Sequence, residues 1–104
     1  MEKRYSQMTE QELMEEIRHL NEKAKKAEQM GMPNEMAVYE RKRVMAESYL
    51  LDPDDFMSGQ RYRIKHDGGT FFVKYLNGVF AWGYRDDSEE KEAIPIALLE
   101  LYDY

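Results

Sequence analysis

The sequence predicts an α+β chain: an N-terminal antiparallel α-helical hairpin followed by a small antiparallel β-barrel. Three observations carry that prediction. Apolar residues in the first half recur three and four positions apart, the helical period. In the second half they alternate with period two. Asp67-Gly68-Gly69 and Asn77-Gly78 stand between the alternating runs, and such pairs are strong hairpin signals. Pro53 marks the boundary, so the predicted units are a helical hairpin over 1–52 and a barrel over 53–104, packed as one compact body.

The first helix has a clean start. Thr9 is placed to cap it, with Glu12 three residues later completing a capping box, and Met8 and Leu13 at the spacing of a hydrophobic staple. Leu13, Ile17, Leu20, Ala24 and Ala27 then form one narrow apolar stripe. Gly31 is the expected stop, and Pro33 suits the first turn of a second helix running to about Leu51. The second stripe is weaker: Ala37, Val44 and Leu51, with Val38, Met45 and Tyr49 alongside. A first helix of roughly 22 residues is about 33 Å long at 1.5 Å per residue. It should overhang a barrel of some 50 residues, and an overhanging stripe needs a cover. A homodimer through the hairpin is one reading.

Strands are expected at residues 61–66, 70–76 and 79–84, with a last short one around Pro95 followed by a helical turn. A two-residue type I′ turn at Asn77-Gly78 would pair Leu76 with Val79 and Tyr75 with Phe80. Phe71, Val73, Tyr75, Phe80, Trp82 and Tyr84 would then share one face. Phe72, Lys74, Leu76, Val79, Ala81 and Gly83 would share the other. The small-residue face suits a tight interior, which leaves the aromatic face outward beneath a cover such as the hairpin; the reverse assignment stays open. Tyr62, Tyr75, Trp82 and Tyr84 are the expected exposed members, since a tyrosine or tryptophan tolerates a boundary with water.

Composition narrows the function. The 104 residues carry a net charge of −6, with nine basic against ten acidic residues up to Leu51 and six against eleven after it. Long-range attraction to a polyanion is therefore not expected. There is no cysteine, which excludes disulfides and thiolate metal sites and fits a reducing cytoplasm. No apolar run approaches the roughly 18 residues of a membrane helix, and the N-terminal residues lack the apolar core of a signal peptide.

No catalytic, cofactor or metal constellation stands out, so neither an enzyme nor a cofactor is expected. His19 and His66 lack ligand-spaced companions. Residues 52–59 have Met57 where a calcium loop needs glycine, and Arg63 where it needs glutamate. Asp86-Asp87 and Glu15-Glu16 read as solvated charge. Two kinds of surface remain. Met30, Met32 and Met36 cluster at the helix link and, with the barrel aromatics, fit an adaptable protein contact. Arg61, Arg63 and Lys65 on one strand face, with Arg41, Lys42 and Arg43 on the second helix, are the candidates for nucleic acid. The expected function is a non-enzymatic interaction module with a protein partner not identified by sequence. The alternative is a nucleic-acid-associated accessory factor.

The segments "LNGVFAWGYR", "MEKRYSQMT" and "ERKRVMAESYLLDPDDF" resemble the YfhH family of small bacterial proteins over nearly the whole chain. The resemblance implies a helical hairpin followed by an SH3-like β-barrel in a bacterial, cytoplasmic setting. It brings no catalytic residues. A second likeness, of the terminal "LELYDY" to the "ALYDY" of eukaryotic SH3 domains, has the wrong order: that motif opens those domains and here it closes the chain.

Overall fold

The computed structural model describes residues 3–101. The "LYDY" likeness falls mostly on residues outside that span. The chain divides into two compact units, Met1–Leu50 and Leu51–Tyr104.

The first unit is an α-hairpin, α1 (Glu10–Gln29) and α2 (Pro33–Ser48). The Thr9 hydroxyl accepts from the Glu12 amide, and the Glu12 carboxylate accepts from the Thr9 amide, both at 3.1 Å. This is the predicted capping box. The Thr9 amide, reinforced by Lys3, holds the Glu12 carboxyl below its ordinary range. A lowered carboxyl stabilises the fold above its unfolded-state value and ceases to as pH falls through the folded one. Glu12→Gln should therefore flatten the acid limb of a far-ultraviolet titration of helicity. An unchanged limb would remove Glu12 from the account.

The C-terminus of α1 is equally defined. Met32 N–H donates to Ala27 O (2.8 Å) and Gly31 N–H to Glu28 O (3.1 Å), with Gly31 at φ +69°. Both bonds of a Schellman stop are present, and the left-handed position falls on the glycine. Pro33 then opens α2. The Arg43–Asn21 hydrogen bond and Lys23 over the Tyr39 ring show the two helices running antiparallel.

α1 buries Leu13, Leu20, Ala24 and Ala27, as its stripe predicts, with Ile17 half-buried. α2 departs from expectation. It ends at Ser48, and its buried residues are Ala46 and Ser48. Ala37, Val44 and Leu51 are only half-buried, and Val38 and Tyr49 are exposed. Ser48 is accommodated because its hydroxyl donates to Val44 O, one turn back, at 2.9 Å.

The second unit is a curled five-stranded antiparallel sheet: β1 (Arg61–Ile64), β2 (Thr70–Asn77), β3 (Phe80–Arg85), β4 (Lys91–Pro95) and β5 (Leu99–Glu100). The spatial order is β4-β3-β2-β1-β5, and a 3-10 turn at Ile96–Leu98 leads into β5. The fold is thus α+β, a helical hairpin followed by a small barrel-like sheet. Pro95 ends β4 at a sheet edge, where its missing N–H breaks no central ladder.

The β2–β3 register differs from the predicted one. Asn77 pairs with Phe80, so the loop is Gly78 and Val79. Gly78 has φ +59° while Val79 is not left-handed, the pattern of a type II′ turn with glycine first rather than type I′. Further along, the ladder shifts between Val73 and Tyr75, where Lys74 is an extra residue. A bulge reverses the alternation beyond it. Phe71 and Val73 go inward, with Ala81 and Gly83 of β3, and Phe72 goes outward. Neither predicted face survives whole.

Two contacts enforce this geometry. Gly83 lies against the bulge, where a Cβ would stand 1.8 Å from the Phe72 carbonyl oxygen. Only glycine fits. Asp86, at φ +46°, accepts from the Thr70 amide (2.8 Å) and hydroxyl (3.2 Å), while its own amide donates to Thr70 O (2.8 Å). Asp86, exposed as expected, therefore also fastens the end of β3 to the start of β2. The sheet core is Tyr62, Ile64, Phe71, Val73, Ala81, Ile94, Ile96 and Leu99.

Candidate functional site

Strand alternation and the bulge together assemble one outer face. Arg61 pairs with Phe72, Phe72 with Tyr84, Tyr75 with Trp82, and Tyr84 with Lys91. Directly opposed residues share a side of the sheet. The face therefore carries Phe72, Tyr75, Trp82 and Tyr84 as a continuous aromatic band. Tyr75 is 38% exposed and the other three are half-buried. The Tyr75 and Trp82 rings stack, 6.0 Å apart and 10° from parallel. Cations lie over the band: Lys91 Nζ stands 5.5 Å from the Tyr75 ring and Arg61 Cζ 5.9 Å from that of Phe72.

Three of the four aromatics expected on the surface, Tyr75, Trp82 and Tyr84, belong to this band. Tyr62 does not. It is 4% exposed, its ring packs on Phe56 at 5.6 Å, and its hydroxyl accepts from the Met57 amide at 2.8 Å. Tyr62 is a core residue because Arg61 and Arg63 take the outward positions on either side of it. Phe72 was missed, since only the bulge turns it outward.

The basic candidates are partly committed within the chain. Arg61 donates to Thr70 Oγ1 and to the Asp86 carbonyl, both at 3.2 Å. Arg43 pairs with Glu47 at 3.3 Å and donates to Asn21. Arg41 donates to the Ala37 carbonyl of its own helix. Lys42 and Arg63 are exposed, and Lys65 is half-buried just past β1. Arg85, which the sequence did not single out, bonds Glu92 at 3.1 Å and Asp67. The Glu92 bond leads in raising its guanidinium above the ordinary arginine range.

At the hairpin link, Met30 and Met32 are exposed and Met36 is half-buried. Met30 and Met32, but not Met36, border a shallow groove of about 370 Å³ with Lys23, Lys26, Glu35 and Tyr39. His19 is exposed on α1 and His66 lies in the β1–β2 turn, in different units. Among the described residues no group of three His, Cys, Asp or Glu side chains is placed to hold a metal ion. Nor is any helix among them long and apolar enough to cross a membrane.

Comparison with known proteins extends the sequence resemblance. The model of a family described as "Protein of unknown function (DUF1811)" matches residues 3–100. An uncharacterized protein of Bacillus subtilis (strain 168), YfhH, is 56% identical over 101 residues, covering 96% of this chain and 97% of the relative.

Proposed function

The chain belongs to this DUF1811 family, together with YfhH, and we propose that it is a cytoplasmic, non-enzymatic protein-interaction module that binds through the outer aromatic band of its sheet. One observation carries the reading. Tyr75, more than a third exposed, is stacked on Trp82 and topped by the Lys91 ammonium. A pre-stacked pair of large rings offers contact area that loses little conformational freedom on binding. Tyrosine, tryptophan and arginine dominate the energetics of protein contacts, and this face holds all three. The cations over the rings fit a partner segment that brings carboxylates beside an apolar anchor.

The test is capture of partners from nuclease-treated Bacillus lysate on the immobilised full chain and on a Tyr75→Ala variant. A protein that survives nuclease and binds wild type, but not the variant, supports the module. Equal capture by both would move the contact off the band.

A second reading has its own observation. Arg61 and Arg63 are exposed on the same face as the aromatics, the combination of charge and stacking surface that single-stranded nucleic acid uses. It ranks second because Arg61 is tied to Thr70 and Asp86, and because the unit is acidic. Phosphate contacts would show as affinity that falls steeply with salt and is lost in Arg61→Ala/Arg63→Ala. Salt-insensitive binding by that double variant would end this reading.

A further inference from the structure

The first unit contains a recess of about 180 Å³ to which three segments contribute one lysine each: Lys3 from the residues before α1, Lys23 from α1 and Lys42 from α2. All three segments belong to the unit Met1–Leu50. Among the described residues, Glu16 is the one carboxylate that lines the recess. Three ammonium groups against one carboxylate give the lining a charge of +2, on a chain whose net charge is −6. Glu12, which bonds Lys3 from outside the lining, lowers the local sum by one. The sign is still reversed, and like charges gathered in this way attract an anion.

Two of the three lysines are held in place. Lys3 contacts both oxygens of the Glu12 carboxylate, at 3.1 and 3.0 Å, and Lys23 stands 5.8 Å over the Tyr39 ring. An ammonium has three N–H donors, so both keep donors to spare. Lys42 has no ion-pair partner among the described residues. Donors arriving from three segments suit an acceptor with several oxygens spread in three dimensions. A phosphoryl group is such an acceptor, and lysine binds it as a point charge. Size sets the rest of the ligand. Drug-sized molecules occupy about 300 Å³ or more, so this recess takes a phosphoryl group with at most a small organic remainder. Buried Leu20 and half-buried Tyr39 offer that remainder carbon surface, and Glu16, half-buried, can accept from a hydroxyl on it.

We propose that Lys3, Lys23 and Lys42 form a binding site for a phosphoryl group, free or carried by a small hydroxylated phosphomonoester. The site is separate from the aromatic band of the sheet, and its occupancy does not depend on partner capture there.

Amide nuclear magnetic resonance spectra of the full chain test the proposal, titrated in parallel with inorganic phosphate and with glycerol 3-phosphate at constant ionic strength. At least one probe should give saturable shifts centred on Lys3, Lys23, Tyr39 and Lys42. Lys23→Ala and Lys42→Ala should each weaken that binding about tenfold or more, the loss of one charge-assisted hydrogen bond. Lys25→Ala removes the same charge from a lysine outside the recess and should leave binding unchanged. The spectra also show that each variant is folded. Saturation by phosphate alone assigns the site to the free ion, and tighter binding of the ester assigns it to a phosphomonoester. Glu16→Gln separates the two again, because it should tighten phosphate and weaken the ester relative to it. Shifts that never saturate with either probe overturn the proposal. Equal losses in Lys25→Ala and Lys42→Ala overturn it too, since the effect would then be the chain's overall charge.

Discussion

The two faces of the β2–β3 ribbon are built from the same kinds of residue and are buried to different depths. Phe71 and Phe72 are neighbours in sequence, yet Phe71 is fully buried and Phe72 lies outside beneath an arginine. Inward, Phe71 lies opposite Tyr62 of β1 and Val73 opposite Gly83 of β3, in a close-packed core with Ile64, Ala81, Ile94, Ile96 and Leu99. Outward, Phe72, Tyr75, Trp82 and Tyr84 meet one another, with lysine and arginine above them. Ring content alone therefore does not distinguish the buried face from the outer one. What distinguishes them is their surroundings: close-packed apolar side chains on every side within, and partly exposed rings with cations over them outside.

Substitutions on the two faces should separate stability from binding. The largest effect is expected from Phe71→Ala, which empties a fully buried ring site and should cost about 3–5 kcal/mol in chemical denaturation. A loss below about 1 kcal/mol would mean the inner face is not the core. Gly83→Ala follows. Its methyl group cannot coexist with the Phe72 carbonyl, so the bulge must open, at a cost of about 1–3 kcal/mol. If the variant is as stable as wild type, the close approach at the bulge is not real, and the sorting of Phe71 from Phe72 loses its cause. Tyr62→Phe should cost about 1–2 kcal/mol, because the Met57 amide loses its acceptor. A neutral result would mean that the Met57 amide does not depend on the Tyr62 hydroxyl. The smallest stability effect belongs to Tyr75→Ala on the outer face, within about 0.5–1 kcal/mol, while its effect on partner capture is the largest.

Much of this architecture was legible, and the illegible parts have identifiable reasons. Thr9, Glu12, Gly31 and Pro33 announced the hairpin because capping is local chemistry, settled within a few residues. The two β-hairpins were announced by their glycine turns. The register of the second was not, because Asn77-Gly78 is compatible with a loop centred on either pair, and pairing across the strands decides between them. The bulge at Lys74 leaves no mark of its own on β2. Its trace is Gly83 on the partner strand, a glycine within a strand, which signals close backbone approach as readily as curvature. Tyr62 was readable: an alternating run with arginines at 61 and 63 places the residue between them inward, and that local signal outranks the general taste of interfaces for tyrosine. Asp86 was not, since its work is done sixteen residues away at Thr70. For the candidate site, three aromatics were visible by type, and Phe72 waited on the bulge.

The most direct test of the division between faces is nuclease-treated capture by wild type and Tyr75→Ala, both first verified to unfold at the same denaturant midpoint within about 0.5–1 kcal/mol. The account predicts that the variant folds normally and loses a protein partner that wild type retains, with affinity reduced by roughly thirtyfold or more if Tyr75 is a hot spot. A variant that folds normally and captures the same proteins as wild type would contradict the claim that the outer aromatics are there to bind.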